Sequence, residues 1–207
     1  MGRQQVIIAQ EIRSGGAGGL ADVIAKQVKL VTSGDAVARE RAAVAIFGLA
    51  TQMHGEHCTV LAQAGCIVPL VKLLADATSS AKAQAAAAGA LQALGGSKQE
   101  HQQAIVDASG VPALVKLLKQ GSPKVQEAVA SALASLDSNI THQKQIIELG
   151  CIVALMPQLT GTSGAAQAHA AQCVANMASY DEATQIAISK AGGVPPLVTL
   201  LKVSAQP

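Results

Sequence analysis

The chain has no tryptophan, one phenylalanine (Phe47) and one tyrosine (Tyr180). It therefore lacks the aromatic platforms on which single-stranded nucleic acids stack. Charge is scarce as well: 14% of residues are Asp, Glu, Lys or Arg, where ordinary domains have about a quarter. Net charge is +2 with the two signs scattered, so no basic stripe for a phosphate backbone is present and no nucleic-acid partner is expected. No apolar run approaches the roughly 18 to 20 residues that a membrane span needs. A signal peptide is not expected, because Arg3, Gln4 and Gln5 precede a short apolar patch that Gln10 and Glu11 close. Met1-Gly2 opens like an acylation signal, but Val6 stands where Ser or Thr is required. The cysteines Cys58, Cys66, Cys151 and Cys173 fit no zinc spacing. They predict reduced thiols and a cytoplasmic or nuclear setting.

What the chain does have is apolar aliphatic residues and a period. Half of it is hydrophobic, so the core is built from Leu, Ile, Val and Ala. The segment GCIVPLVKLL at 65–74 returns as SGVPALVKLL at 109–118, GCIVALMPQL at 150–159 and GGVPPLVTLL at 192–201. Aligned on Leu70, Leu114, Leu155 and Leu197, the steps are 44, 41 and 42 residues. A fixed step of this size marks stacked supersecondary units, none of which buries its apolar face alone.

Residues 98–138 show one unit. Ala104, Ile105 and Ala108 give a short helix one apolar stripe. Ser109-Gly110 breaks it; elsewhere the break is Gly65, Gly150 or Gly192, where a left-handed residue ends a helix without steric cost. Pro112 enters the first turn of the next helix, which carries Val111, Leu114, Val115, Leu117 and Leu118. Gly121-Ser122-Pro123 supplies a stop, a cap and a helix start. A third helix follows through Val125, Ala128, Val129, Ala132, Leu133 and Leu136.

This three-helix unit resembles the armadillo repeat, on the second-helix stretch and on a third-helix stretch seen at 87–94, 129–136 and 170–177. The expected fold class is all-α, a right-handed superhelical α-solenoid. The expected organisation is a single solenoid over 1–207: a degenerate repeat at 1–56, full repeats at 57–97, 98–138 and 139–179, and a truncated repeat at 180–207. Val6 to Ile12, Leu20 to Val31 and Val37 to Leu49 are the expected helices of the first repeat. Asp181 to Lys202 supplies two more helices and leaves Leu197, Leu200 and Leu201 open.

In such families the third helices line a concave groove, with an asparagine ladder for a peptide backbone and a tryptophan one turn earlier. The resemblance places the ladder at Gly48, Ala93, Ser135 and Asn176, and the aromatic positions at Val44, Gly89, Ser131 and Gln172. Only Asn176 matches. Capture of basic peptides in the manner of nuclear import receptors is therefore not expected. A shallow groove of small residues suits a partner that brings its own bulky knobs, such as a helix.

Other constellations read as structure. His57, His101 and His142 stand in register, but stacked helices lie about 8–10 Å apart while zinc ligands sit about 2 Å from the ion. A polar role at the start of each first helix is expected instead. His54, His57 and Cys58 lack a fourth ligand. Gly16 to Ala21 contains G-x-G-x-x-A, but nothing downstream alternates strand with helix, so a turn between helices is expected rather than a pyrophosphate loop. Asp107, Glu127, Asp137, Glu148, Asp181 and Glu182 are expected at helix ends or on polar faces. No acid, base and nucleophile converge. The expected function is a non-enzymatic scaffold, without cofactor or metal, that binds a protein or peptide partner. The alternative is an assembly module that self-associates through its open last repeat.

Overall fold

In the computed structural model, the structure describes residues 16–52, 56–137 and 139–204. The expected helix at Val6 to Ile12 and the side chain of His54 lie outside the described residues. Within them there are thirteen α-helices and no strand. They are α1 (Gly16–Ser33), α2 (Ala36–Gln52), α3 (Glu56–Gln63), α4 (Ile67–Ala75), α5 (Ala81–Gly95), α6 (Gln99–Asp107) and α7 (Gly110–Gln120). Then come α8 (Pro123–Leu136), α9 (Ile140–Glu148), α10 (Cys151–Leu159), α11 (Gly164–Ala178), α12 (Glu182–Lys190) and α13 (Val194–Ser204). From α3 onward the helices follow in threes, with the longest third, until α12 and α13.

The punctuation sets the boundaries. Gly65, Gly150 and Gly192 have φ of 77°, 77° and 79°, and Ser109 has φ 63°. After Gly65, Cys66 N donates to Leu61 O at 3.3 Å; after Gly192, Gly193 N donates to Ile188 O at 3.0 Å. Both bonds close a left-handed helix end and satisfy a carbonyl that the helix leaves open. Starts are capped: Ser80 Oγ accepts from Ala83 N at 3.1 Å, Ser163 Oγ from Ala166 N at 3.3 Å and Asp181 Oδ1 from Thr184 N at 2.7 Å. Pro123 opens α8, where its missing N–H leaves no helical bond unmade.

The glycine stretch is a correction. Gly16, Ala17, Gly18 and Gly19 form the first turn and more of α1, not a turn between helices. Glycine in a helix costs about 1 kcal/mol relative to alanine. Burial of Val23, Ile24 and Val31 farther along α1 offsets that locally weak start.

The chain packs as two compact units, residues 1–110 and 111–207. In the first, α2 lies against α1 and α5, and α4 and α6 pack on α5. In the second, α8 and α10 lie against α11, with α12 on α11 and α9 on α10. Each interior is aliphatic: Leu70, Leu114 and Leu155 are fully buried, each contributing about 1.5–3 kcal/mol. Alanines at 42, 43, 87, 88 and 90 are buried on α2 and α5, so these two helices pack closely. Within both units the start of a third helix is tied to the third helix before it. Ser80 Oγ donates to Glu40 at 2.6 Å, and Ser163 Oγ donates to Glu127 at 2.7 Å. No helix among the described residues is long and apolar enough to cross a membrane.

Candidate functional site

The third helices carry the candidate face. In the first unit, α2 presents Val44, half-buried, while Gly48 is buried. On the neighbouring α5, Ala93 is half-buried and Gly89 is buried. Gly48 and Gly89 therefore cannot touch a partner through side chains. Phe47 takes the space instead: a Cβ built on Gly89 would lie 2.7 Å from Phe47 Cε2. The ring lies over the glycine yet remains 37% exposed. An aromatic thus stands on this face one position away from where the family ladder would put a polar residue. That offset is why register alone missed it. Beside the ring's helix, Ala50, Thr51, Cys58, Gln92, Ala93, Gly96 and Ser97 line a cavity of about 560 Å³.

In the second unit, Ser131 and Ser135 on α8 are half-buried. Ser135 Oγ is turned inward, donating to Ala132 O at 2.7 Å. On α11, Gln172 is exposed and Asn176 half-buried. Gln172 Nε2 donates to Asn176 Oδ1 at 2.8 Å. The pair holds the Asn176 amide in one orientation, with its Nδ2 hydrogens unspent among the described residues.

The ends of the third helices reveal a device the sequence reading did not anticipate. Each is closed by the residue after the in-register histidine or threonine. Cys58 Sγ donates to Ala50 O at 3.5 Å, Gln102 Nε2 to Gly95 O at 2.9 Å, Gln143 Nε2 to Asp137 O at 2.8 Å and Gln185 Nε2 to Ala178 O at 2.9 Å. In the last three a long amide, and in the first a thiol, reaches a carbonyl at the helix terminus. The histidines assist. His57 Nδ1 lies 3.1 Å from Leu49 O, and a carbonyl only accepts, so Nδ1 carries the proton there. His101 Nδ1 lies 2.8 Å from Ser97 Oγ, and that hydroxyl donates to Leu94 O at 2.6 Å. Among the described residues no grouping of His, Cys, Asp and Glu could hold a metal ion.

Electrostatics separate the acids. Thr78 hydroxyl and amide, with Arg39 at 2.8 Å, hold Asp76 down to about 2. Ser80 and Lys82 lower Glu40, and Thr184 lowers Asp181. Asp137, expected at a helix end or on a polar face, does cap α8, but there it is wholly buried. α9 to α11 pack over that end of the helix, so position in the chain did not mean exposure. Burial pushes its carboxyl up to about 7. The four thiols are buried, and none is in a disulfide among the described residues; burial raises Cys66 and Cys151 to about 12. On α13 Leu201 is exposed, whereas Leu197 and Leu200, expected to be open, are half-buried.

Helix triplets, left-handed turns at one register and paired third helices define a helical-repeat protein. Residues 98–136 match the family described as Armadillo/beta-catenin-like repeat. An engineered protein of known structure is 37% identical, with 86% of this chain and 71% of that one covered and a TM-score of 0.77. A designed armadillo repeat protein in complex with the peptide (KR)4 is 28% identical, covering 95% and 83% of the two chains at a TM-score of 0.78. Another designed armadillo repeat protein, 27% identical, covers 97% and 84% at 0.79. No curated protein matches. The chain belongs to the armadillo repeat family, with the all-α solenoid class of fold that its sequence period implied.

Proposed function

We propose that this chain is a non-enzymatic interaction scaffold that binds a peptide or a helix of a protein partner along its third-helix faces. The observation that carries this is Phe47, exposed on the α2–α5 face in the same unit as an open cavity of about 560 Å³. A partially exposed aromatic on a rigid helix supplies apolar contact area at low entropic cost. On α8 and α11 the face is polar, with the Gln172–Asn176 pair as its fixed donor. A designed member of the fold is known with the peptide (KR)4, which supports the class of partner but not that sequence: the Asn and Trp ladder is missing here. Reduced, buried thiols go with a cytoplasmic or nuclear setting.

The test is selection of displayed peptides and helices against the purified chain, followed by binding to Phe47→Ala and to a Gln172→Ala/Asn176→Ala double variant. Each selected ligand should weaken about tenfold or more in one of the two, as interface anchors do. Ligands indifferent to both would sink the groove reading.

A second reading, self-association, has its own observation. Leu201 is 69% exposed, whereas its register equivalents Leu74, Leu118 and Leu159 are 2%, 1% and 1% exposed. Val194 and Val198 extend that patch. Light scattering against concentration tests it. Mass growing with concentration, and ceasing to grow in Leu201→Glu, supports assembly; a monomer throughout rejects it.

A further inference from the structure

Asp137 stands just past the last residue of α8, with its side chain completely shielded from water. Neither carboxyl oxygen has a hydrogen-bond partner among the described residues. In the other third helices this register position holds Ala50, Gly95 and Ala178, none of which has a polar side chain to bury. The partial negative charge of the helix C-terminus also opposes an anion here. The backbone of the same residue is part of a bridge. Gln143 Nε2 donates to Asp137 O at 2.8 Å and to Asn176 O at 3.2 Å, so one buried amide ties the end of α8 to α11. The other atom of that amide, Gln143 Oε1, is buried without a partner among the described residues.

Among the described residues no cation acts on the carboxylate, which burial alone perturbs. The Cys151 and Cys173 thiols face it from α10 and α11, both raised by burial and further by the Asp137 charge. Lys119 on α7 acts on Cys151 but donates its Nζ to Leu149 O at 3.1 Å. His142 and Gln143 come from α9. The neutral acid has one O–H donor to give; the anion has none. An ionised, unpaired group in such a site must draw in water or swing out.

We propose that Asp137 is a proton-operated latch on the bridge between α8 and α11: protonated, it leaves the Gln143 amide clamping both helices, and ionised, it loosens that clamp. The same two helices carry Ser131, Ser135, Gln172 and Asn176. Regulation of a bound partner rests on the proposed binding face; the latch itself does not. Because burial holds the folded carboxyl near 7, above the usual value of about 3.9, the folded chain binds more protons than the unfolded one between those limits. Stability from this group is therefore present on the acid side, declines as pH rises through that window and stays reduced above it.

The experiment is thermal unfolding from pH 5.5 to 8 of the full chain, of Asp137→Ala, which installs the side chain found at Ala50 and Ala178, and of Asp137→Asn. The gap in Tm between Asp137→Ala and the parent should move by about 4–8 °C in favour of the variant over that range. Asp137→Asn, which cannot ionise, should follow Asp137→Ala in shape. Amide exchange, corrected for intrinsic rates, should show protection at Gln143 falling with pH in the parent alone. Parallel Tm profiles for the three proteins overturn the latch. Divergent profiles, with a pH-independent affinity for a ligand selected on Gln172 and Asn176, keep the latch and overturn its link to the face.

Discussion

The Phe47 ring covers Gly89 so closely that a Cβ there would meet Cε2 at 2.7 Å and Cδ2 at 2.9 Å. Gly89 lies inside α5, where alanine would favour the helix by about 1 kcal/mol. The ring is partly exposed, so it can move aside at some loss of packing. Gly89→Ala should therefore stabilise a Phe47→Ala background by about 1 kcal/mol and the parent by clearly less. Urea unfolding of the four proteins measures the coupling; an equal gain in both backgrounds would show that ring and glycine do not touch.

The four turns differ in one residue type. Gly150→Val should cost about 1–2 kcal/mol, because a β-branched side chain resists the φ of 77° found there. Ser109 already holds φ 63° with a side chain, so Ser109→Gly should gain up to about 1 kcal/mol in chemical unfolding. A Gly150→Val protein that unfolds like the parent would show that the turn is not left-handed in solution.

The positions of these turns were legible because glycine and proline act locally and the period repeats them. Leu70, Leu114 and Leu155 are each fully buried for the same reason. What the sequence did not disclose depends on neighbours far along the chain. Phe47 meets Gly89 across two helices, and Asp137 is buried by helices that come after it. The glycine-rich start of α1 misled for the opposite reason: a poor local propensity was overruled by packing farther along the helix. Asn176 stood out as the one match to the family ladder, but its link to Gln143 is a backbone contact that no side-chain pattern encodes.

Acid should unfold the chain partly through Asp76. Thr78 and Arg39 hold its folded carboxyl at about 2, below the usual value of about 3.9. The stability it contributes is thus complete at neutral pH and is lost as pH falls from about 4 through about 2, the opposite sense to Asp137. Asp76→Asn should flatten the loss of Tm across that acid range. An acid limb of unchanged slope would mean that the Thr78 and Arg39 contacts are not kept in solution.

The repeated amide clamp allows burial to be separated from geometry. Gln102 and Gln185 make the same bond, at 2.9 Å, to Gly95 O and Ala178 O. Gln102 is buried and Gln185 exposed. Removing Gln185 leaves a carbonyl that water can reach, so Gln185→Ala should cost no more than about 0.5 kcal/mol. Removing Gln102 leaves Gly95 O shielded and a void beside it, so Gln102→Ala should cost about 1–3 kcal/mol. Distance cannot distinguish the two bonds; only access of water does. Equal losses in urea unfolding would mean that the clamp acts through its geometry alone.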